Sequence, residues 1–262
     1  MDYNYHTHTY RCGHAIGEDE EYIKVSIQNG IKHLGFSDHI PFAFPDGYES
    51  FYRVKLSDAL EYFENLNTLR EKYKDKIEIK IGFEMEYYPN HFEKMLENAI
   101  NFGAEYLILG QHFLYNEYPD GVYSADKISS KKEVIKNLKE YVKNIIDGIK
   151  SGVFSYVAHP DLIYYAEKDL LYSDEMRKIC VASREYNTPL EINLLGIRDK
   201  RAYPCYEFFK IAGEEQSPVV IGFDAHTPKD AFDKTSLDIA KKLIEKYNLN
   251  YIGKPKLKSP IK

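Results

Sequence analysis

The chain has 262 residues, of which 44% are hydrophobic and 29% charged, and its formal net charge is −6. This composition is typical of a globular protein, and the acidic balance argues against a surface that coats nucleic acid. Three cysteines without CxxC spacing argue against a disulfide framework or a zinc finger and favour a reducing cytoplasm. Because no apolar run reaches about 18 residues and polar sequence follows Met1, we expect neither a membrane span nor a signal peptide.

Short apolar runs alternate with longer amphipathic stretches, a pattern that favours parallel strands joined by crossover helices. Helices are predicted over 19–30, 56–74, 131–152 and 172–187, where apolar residues recur at spacings of three and four. Strands are predicted over 2–8, 33–39, 77–87, 105–113, 154–160, 189–196 and 218–226. We therefore expect one domain over 1–262, an α/β barrel of about seven units, with a loosely packed basic tail over 253–262.

Histidines and carboxylates fall where six of these predicted strands end. His6 and His8 end the first strand, and the later strand ends carry His39, Glu84, His112, His159, Asp224 and His226. Barrel enzymes build their active sites at this rim, because the strand ends converge there. We therefore expect these side chains to meet at one mouth of the barrel.

The residue types at this mouth predict a metal centre. His6 and His8 are two apart on a strand and can bind one ion, while His14 in the following loop can reach a neighbouring ion. Seven of the nine histidines fall at these positions, and an ordinary core does not gather so many costly polar groups. With Glu84 and Asp224 they make nine ligands, enough for two to three divalent ions such as zinc, iron or manganese. Clustered ions indicate phosphoryl-transfer hydrolysis.

An ordered series of seven motifs resembles the PHP (polymerase and histidinol phosphatase) family, and within it the histidinol-phosphate phosphatases. The motifs span the chain: HTHTYRCGHA, GFSDHIPF, GFEMEYYP, LGQHF, AHPDLI, EINLLGIR and GFDAHTP. The resemblance implies a distorted, TIM-like (β/α)7 barrel with three metal ions. It assigns His6, His8, Glu84 and Asp224 to the first site, Glu84, His112 and His159 to the second, and His14, His39 and His226 to the third.

Two positions depart from the family pattern. Asn4 stands where the family often has Asp, and tyrosines follow HPDLI where histidinol phosphatases often carry a basic residue. Arg198 is then the main cation that the motifs place near the substrate phosphate. Asn193 in the same strand end is a weaker candidate for substrate binding, and a hydrogen bond to backbone is an equal alternative for its side chain.

The resemblance implies hydrolysis of a phosphate monoester, L-histidinol phosphate, to histidinol and phosphate. We expect direct attack by a hydroxide that bridges two ions, with Arg198 stabilising the developing charge and Asp224 or a bound water protonating the leaving oxygen. Four aromatic residues are candidates to stack on the substrate imidazole: Phe42, Phe44, Tyr87 and Tyr88. Nearby acids such as Glu86 are candidates to pair its amine. Because the chain has 24 tyrosines, packing is the alternative role for these aromatics.

Other functions stay open at this point. A PHP phosphoesterase for another small phosphate, a nucleotide or a phosphotyrosine protein would keep the same ligands and differ in its loops. An amidohydrolase-type barrel also opens with HxH but relies on a lysine-centred bridge, and a degenerate binding module would have lost ligands. We expect a small-molecule partner rather than nucleic acid or a membrane, and the oligomeric state is open.

Overall fold

The computed structural model describes residues 1–119 and 121–261. The strands are β1 (Tyr3–Asn4), β2 (His33–His39), β3 (Glu78–Met85), β4 (Leu107–Leu109), β5 (Leu190–Asn193), β6 (Pro218–Gly222) and β7 (Asn250–Tyr251). The α-helices are α1 (Asp19–Gln28), α2 (Ala59–Tyr73), α3 (Phe92–Phe102), α4 (Lys131–Ser151), α5 (Leu170–Glu185), α6 (Leu194–Arg198), α7 (Tyr206–Glu214) and α8 (Lys234–Tyr247). Single 3₁₀ turns lie at Tyr10–Cys12, Leu56–Asp58 and Pro228–Ala231.

The strands form a closed but distorted parallel barrel. β1 to β4 pair in chain order, and β5, β6 and β7 pair in a second group. Val157 joins the groups because it bridges Leu109 on one side and Leu190 on the other, and Thr7 bridges Ala225 to close the ring. The predicted distorted (β/α)7 barrel is therefore confirmed, with single bridges at the weak joints in place of full ladders.

Several predicted strands are shorter than expected. The strand predicted over 154–160 is reduced to the bridge at Val157, and the backbone leaves the extended region at His159, where φ is 30°. The strand predicted over 189–196 ends at Asn193, because the Asn193 Oδ1 accepts from the N–H of Gly196 at 3.0 Å and starts α6. β7 was not predicted, and it pairs with the first two residues of β6.

The predicted helices are found with small shifts. α1, α4 and α5 occupy the predicted stretches, and the predicted helix over 56–74 begins as a 3₁₀ turn before α2. Gly152, with φ of 75°, ends α4 in the left-handed conformation that glycine adopts without strain. None of the helices in the described ranges is both long and apolar enough to span a membrane.

The tail is anchored, so the prediction of loose packing is wrong for its described part. The backbone N–H of Lys258 donates to Ser155 Oγ at 2.9 Å, and Leu257 packs against a tyrosine cluster inside the ring. Pro255 and Pro260 are buried. Lys262, the last residue of that predicted tail, lies outside the described residues.

The inside of the ring is filled by side chains below the rim that carries the predicted ligands. Tyr5 of the first segment and Tyr106 of the fourth lie with ring centroids 5.9 Å apart, so side chains from non-neighbouring segments meet across the barrel. The Tyr106 hydroxyl donates to the carbonyls of Tyr5 and Phe36 at 3.0 and 3.1 Å. This packed layer leaves the opposite mouth, at the carboxyl ends of the strands, as the open end.

Candidate metal centre

The predicted ligands meet at one cavity of about 910 Å³ at the carboxyl ends of the strands. Eight of the nine line it: His8, His14, His39, Glu84, His112, His159, Asp224 and His226. His6, the ninth, is fully buried behind the cavity wall and reaches the same carboxylates. The sequence therefore placed all nine side chains in the correct region of the barrel.

Glu84 lies at the centre of the cluster. Its Oε1 is 2.9 Å from His159 Nε2 and 3.7 Å from His112 Nε2. Its Oε2 faces three further imidazole nitrogens, at 3.5 Å from His6 Nε2, 3.4 Å from His8 Nε2 and 3.4 Å from His39 Nδ1. A carboxylate whose two oxygens face different histidines has the arrangement needed to bridge two ions.

Asp224 forms the second focus. Its Oδ1 lies 3.4 Å from His6 Nε2, 3.3 Å from His8 Nε2 and 3.3 Å from His226 Nδ1. Asp224 has φ of 48° and His159 has φ of 30°, both in the left-handed region that non-glycine residues rarely adopt. Such strain costs about 1–3 kcal/mol per residue and persists only where the surroundings impose it, as at functional sites.

Ligand atoms group into overlapping triads in which all atoms lie within 4.8 Å of one another. The triads within the predicted set are His6, His8 and Glu84; His6, His159 and Asp224; His39, Glu84 and His112; and His8, His39 and His226. His14 belongs to none of these triads, but its ring centroid lies 4.8 Å from that of His226 and 5.2 Å from that of His39.

Charge in the cluster is mutually stabilised. Burial raises the pKa of the Glu84 carboxyl, but the neighbouring His112, His6 and His39 outweigh it and hold the pKa well below its usual range. Burial raises the pKa of Asp224 too, and its histidine neighbours likewise hold it well below the usual range. Both carboxylates are therefore ionised at neutral pH, the form that binds a metal ion.

Unpaired buried atoms test whether a divalent ion fits. Within the described residues, His6 Nε2, Glu84 Oε2 and Asp224 Oδ1 are buried and have no hydrogen-bond partner. Buried polar atoms are normally satisfied, and here His6 Nε2 lies 3.5 Å from Glu84 Oε2 and 3.4 Å from Asp224 Oδ1. Imidazole and carboxylate donors suit zinc, iron and manganese, so this donor set fits a divalent ion.

Two orienting carboxylates at the site were not assigned that role from the sequence. Asp38 accepts from the backbone N–H of Thr9 at 3.0 Å, and its other oxygen lies 3.5 Å from His8 Nδ1. Glu86 lies 3.1 Å from His112 Nδ1 and accepts from Arg53 at 2.7 Å. Glu86 lines the cavity and both of its oxygens have partners in the protein, so its pairing with the substrate amine stays a prediction. In both cases the available signal was a carboxylate within two residues of a predicted ligand.

Arg198 lines the cavity, as a phosphate contact requires. Its Nη2 donates to the carbonyl of Asp224 at 3.2 Å, and its Nε lies 3.3 Å from Asp230 Oδ1. Its Nη1 lies 3.6 Å from Asp233 Oδ2. The guanidinium is thus held beside Asp224 by the backbone and by two carboxylates.

Asn193 ends β5, at the strand end where it was predicted, but its side chain is directed into the protein. It is buried and lies outside the cavity lining, and its Nδ2 donates to Glu191 Oε2 at 2.8 Å and to Asp224 Oδ2 at 3.0 Å. With its Oδ1 capping α6, the whole amide is used within the protein. The geometry favours a role in holding Asp224 over the predicted contact with substrate.

The aromatic residues at the cavity are not those predicted. Tyr52, Phe113 and Tyr123 line it, whereas Phe42, Phe44 and Tyr88 are buried in the core and Tyr87 lines a separate cavity beside α3 and α4. The predicted aromatics pack in the loops behind the wall. The chain has 24 tyrosines and 14 phenylalanines. Because aromatic residues are so frequent, the sequence alone does not separate those that line the cavity from those that pack in the core.

Comparison with known proteins agrees with this geometry. The PHP domain family matches residues 4–194. The chain is 27% identical over 234 residues to a probable histidinol-phosphatase of Deinococcus radiodurans, with 85% of each chain covered. It is 26% identical over 263 residues to the histidinol-phosphatase of Lactococcus lactis, with 94% of this chain and 90% of that protein covered.

A solved structure shares the fold. The histidinol phosphate phosphatase of Lactococcus lactis, complexed with zinc, L-histidinol and phosphate, superposes with a TM-score of 0.73 at 21% identity, covering 100% of this chain and 98% of the other. The family match covers most of the chain and includes the first five motifs and part of the sixth. The chain belongs to the PHP domain family.

Proposed function

We propose that this chain is a metal-dependent phosphatase that hydrolyses L-histidinol phosphate to histidinol and phosphate. The observation that carries the proposal is the convergence of seven imidazoles and two carboxylates on one cavity, with Glu84 at its centre. The relatives named as histidinol-phosphatases match along most of their length, which supports the choice of substrate.

We infer that two to three divalent ions occupy the centre. The first ion would be held by His6, His8, Glu84 and Asp224, and the second by Glu84, His112 and His159. The third would be held by His14, His39 and His226. When bound, the ions supply Lewis acidity, which neutralises phosphate charge and makes water a nucleophile near neutral pH.

The remaining side chains act on the substrate. Arg198 lines the cavity beside Asp224 and binds a phosphate oxygen, adding positive charge where the transition state gains negative charge. Asp224 serves as a metal ligand, and Asp224 or a bound water protonates the leaving oxygen.

The outer part of the cavity fits a small cationic, aromatic alcohol. Tyr52, Phe113 and Tyr123 offer faces for an imidazole ring, and Asp126 carries negative charge that favours an amine. A volume of about 910 Å³ lies within the range of cavities that enclose small ligands.

We further propose a single domain that works in the cytoplasm. One apolar core cluster includes residues from Tyr22 to Leu249, and within the described chain all three cysteines are buried and unpaired. Buried thiols without disulfides are the usual state in a reducing compartment.

A substrate panel tests the function. Phosphate release is measured from L-histidinol phosphate, a dozen other small monoesters including nucleotides, and a phosphotyrosine peptide. We expect L-histidinol phosphate to have the highest kcat/KM. Another substrate with a kcat/KM about tenfold higher would contradict the assignment, and a preference for the peptide would support a protein phosphatase instead.

A further inference from the structure

Glu191 is a buried carboxylate that lies behind the cluster and outside the nine predicted ligands. It is on β5, it is fully buried, and its Oε1 lies 2.8 Å from His6 Nδ1. Its Oε2 accepts from the backbone N–H of His159 at 3.1 Å and from Asn193 Nδ2 at 2.8 Å. One carboxylate thus contacts three different segments of the barrel wall.

The fold leaves space for this carboxylate. Gly222 on β6 pairs with Asn193, and a Cβ at residue 222 would lie 1.7 Å from Glu191 Oε1. Any side chain at that position would displace the carboxylate. A buried charge is costly unless it is well paired, and here both oxygens are engaged by donors.

The contacts of Glu191 lead to three proposed ligands. A bond to His6 Nδ1 fixes the tautomer and leaves Nε2 directed toward Asp224 Oδ1, 3.4 Å away. The His159 N–H that donates to Glu191 belongs to a residue with strained backbone. The Asn193 Nδ2 that donates to Glu191 also donates to Asp224 Oδ2, at 3.0 Å. His6, His159 and Asp224 form one of the triads whose ligand atoms lie within 4.8 Å.

We propose that Glu191 is a positioning residue that aims His6, His159 and Asp224 together and thereby sets the metal affinity of the centre. This inference rests on the proposed function in requiring that these residues bind metal. Glu191 does not bind the ion itself, since both oxygens face protein donors and the side chain lies outside the cavity lining.

The test is zinc affinity, measured by chelator competition on metal-free protein with zinc alone. Glu191→Gln keeps the volume, but its amide must turn a donor toward either His6 Nδ1 or the His159 and Asn193 donors. Glu191→Asp keeps the charge and withdraws it by one methylene. Glu175→Gln is the matched control, because Glu175 is a buried carboxylate on α5 that pairs with Lys178.

We expect zinc affinity to fall about ten- to a hundredfold in Glu191→Gln, less in Glu191→Asp, and not in Glu175→Gln. The visible spectrum of the cobalt-loaded Glu191 variants should also change, which a purely structural role would not require. Zinc affinity equal to wild type in Glu191→Gln would overturn the proposal. If Glu191→Gln does not fold, normal zinc affinity in Glu191→Asp would overturn it.

The outcomes separate this inference from the proposed substrate. Wild-type protein that binds zinc but releases no phosphate from L-histidinol phosphate would contradict the substrate, while the affinities of the variants would still decide the role of Glu191. Wild-type protein that binds no zinc, iron or manganese would overturn both.

Discussion

Gly110, directly after β4, controls the position of Glu84 without being a ligand. A Cβ built at residue 110 lies 1.9 Å from Glu84 Oε1 and 2.5 Å from its Cδ, whereas ordinary contacts begin at 3.4 Å. Gly110 does not have a positive φ, so alanine fits its backbone. Gly110→Ala therefore pushes the bridging carboxylate aside and leaves every predicted ligand in the sequence.

The size of the effect follows from the displacement. Moving Oε1 from 1.9 Å to 3.4 Å requires a shift of about 1.5 Å, and the bond to His159 Nε2 is only 2.9 Å long. Misplacement of a reacting geometry by about 1 Å can cost about a hundredfold in rate. We expect kcat/KM for L-histidinol phosphate to fall about a hundredfold, which corresponds to about 2.7 kcal/mol of transition-state stabilisation.

Steady-state kinetics with elemental analysis of the same sample is the assay. Gly148→Ala is the matched control. Its added Cβ would lie 2.6 Å from the flexible end of the Leu109 side chain and 3.4 Å from Tyr87 Cβ, away from every predicted ligand. The control should keep its activity per folded molecule and its metal content. Full activity and full metal content in Gly110→Ala would refute the argument that the Glu84 position matters.

Three further changes test separate parts of the site. Glu84→Gln should lower bound metal and turnover together, with partial recovery in excess metal; full metal with full activity would show that Glu84 does not bridge. Arg198→Ala should keep its metal but lose roughly ten- to a thousandfold in kcat/KM, with little rescue by Arg198→Lys, and unchanged kinetics would remove the phosphate role. Arg53→Met leaves the buried Glu86 and Glu117 without their ion-pair partner, so the urea unfolding free energy should fall by about 3–5 kcal/mol, and an unchanged value would contradict this pairing.

The convergence of the candidate ligands could be predicted from sequence because of where each falls on a strand. His39 is the last residue of β2 and Glu84 the second-to-last of β3, so the pattern of apolar runs alone directs both toward the same rim. The length of the strand predicted over 154–160 was overestimated, because the apolar run gives no sign of the backbone turn at His159. That turn is imposed by tertiary contacts, which the local pattern does not contain.

The supporting residues were harder to predict because their partners are distant in sequence. Glu191 and His6 are 185 positions apart, and nothing near Glu191 indicates that an imidazole lies 2.8 Å away. Arg53 lies in the loop before α2, where an arginine is normally exposed, yet it is buried between Glu86 and Glu117. Local patterns identify groups that meet at strand ends, whereas the packing behind them depends on the closed barrel.

We propose that metal bound at this centre makes the chain a histidinol-phosphate phosphatase. The most direct measurement strips the protein with a chelator, reloads it stepwise with zinc, manganese or iron, and records ions per chain and phosphate release from L-histidinol phosphate on each sample. We predict that activity is absent in the stripped protein and rises with loading to a plateau at two to three ions per chain. Activity that persists without metal, or a fully loaded protein that releases no phosphate from this substrate, would contradict the account.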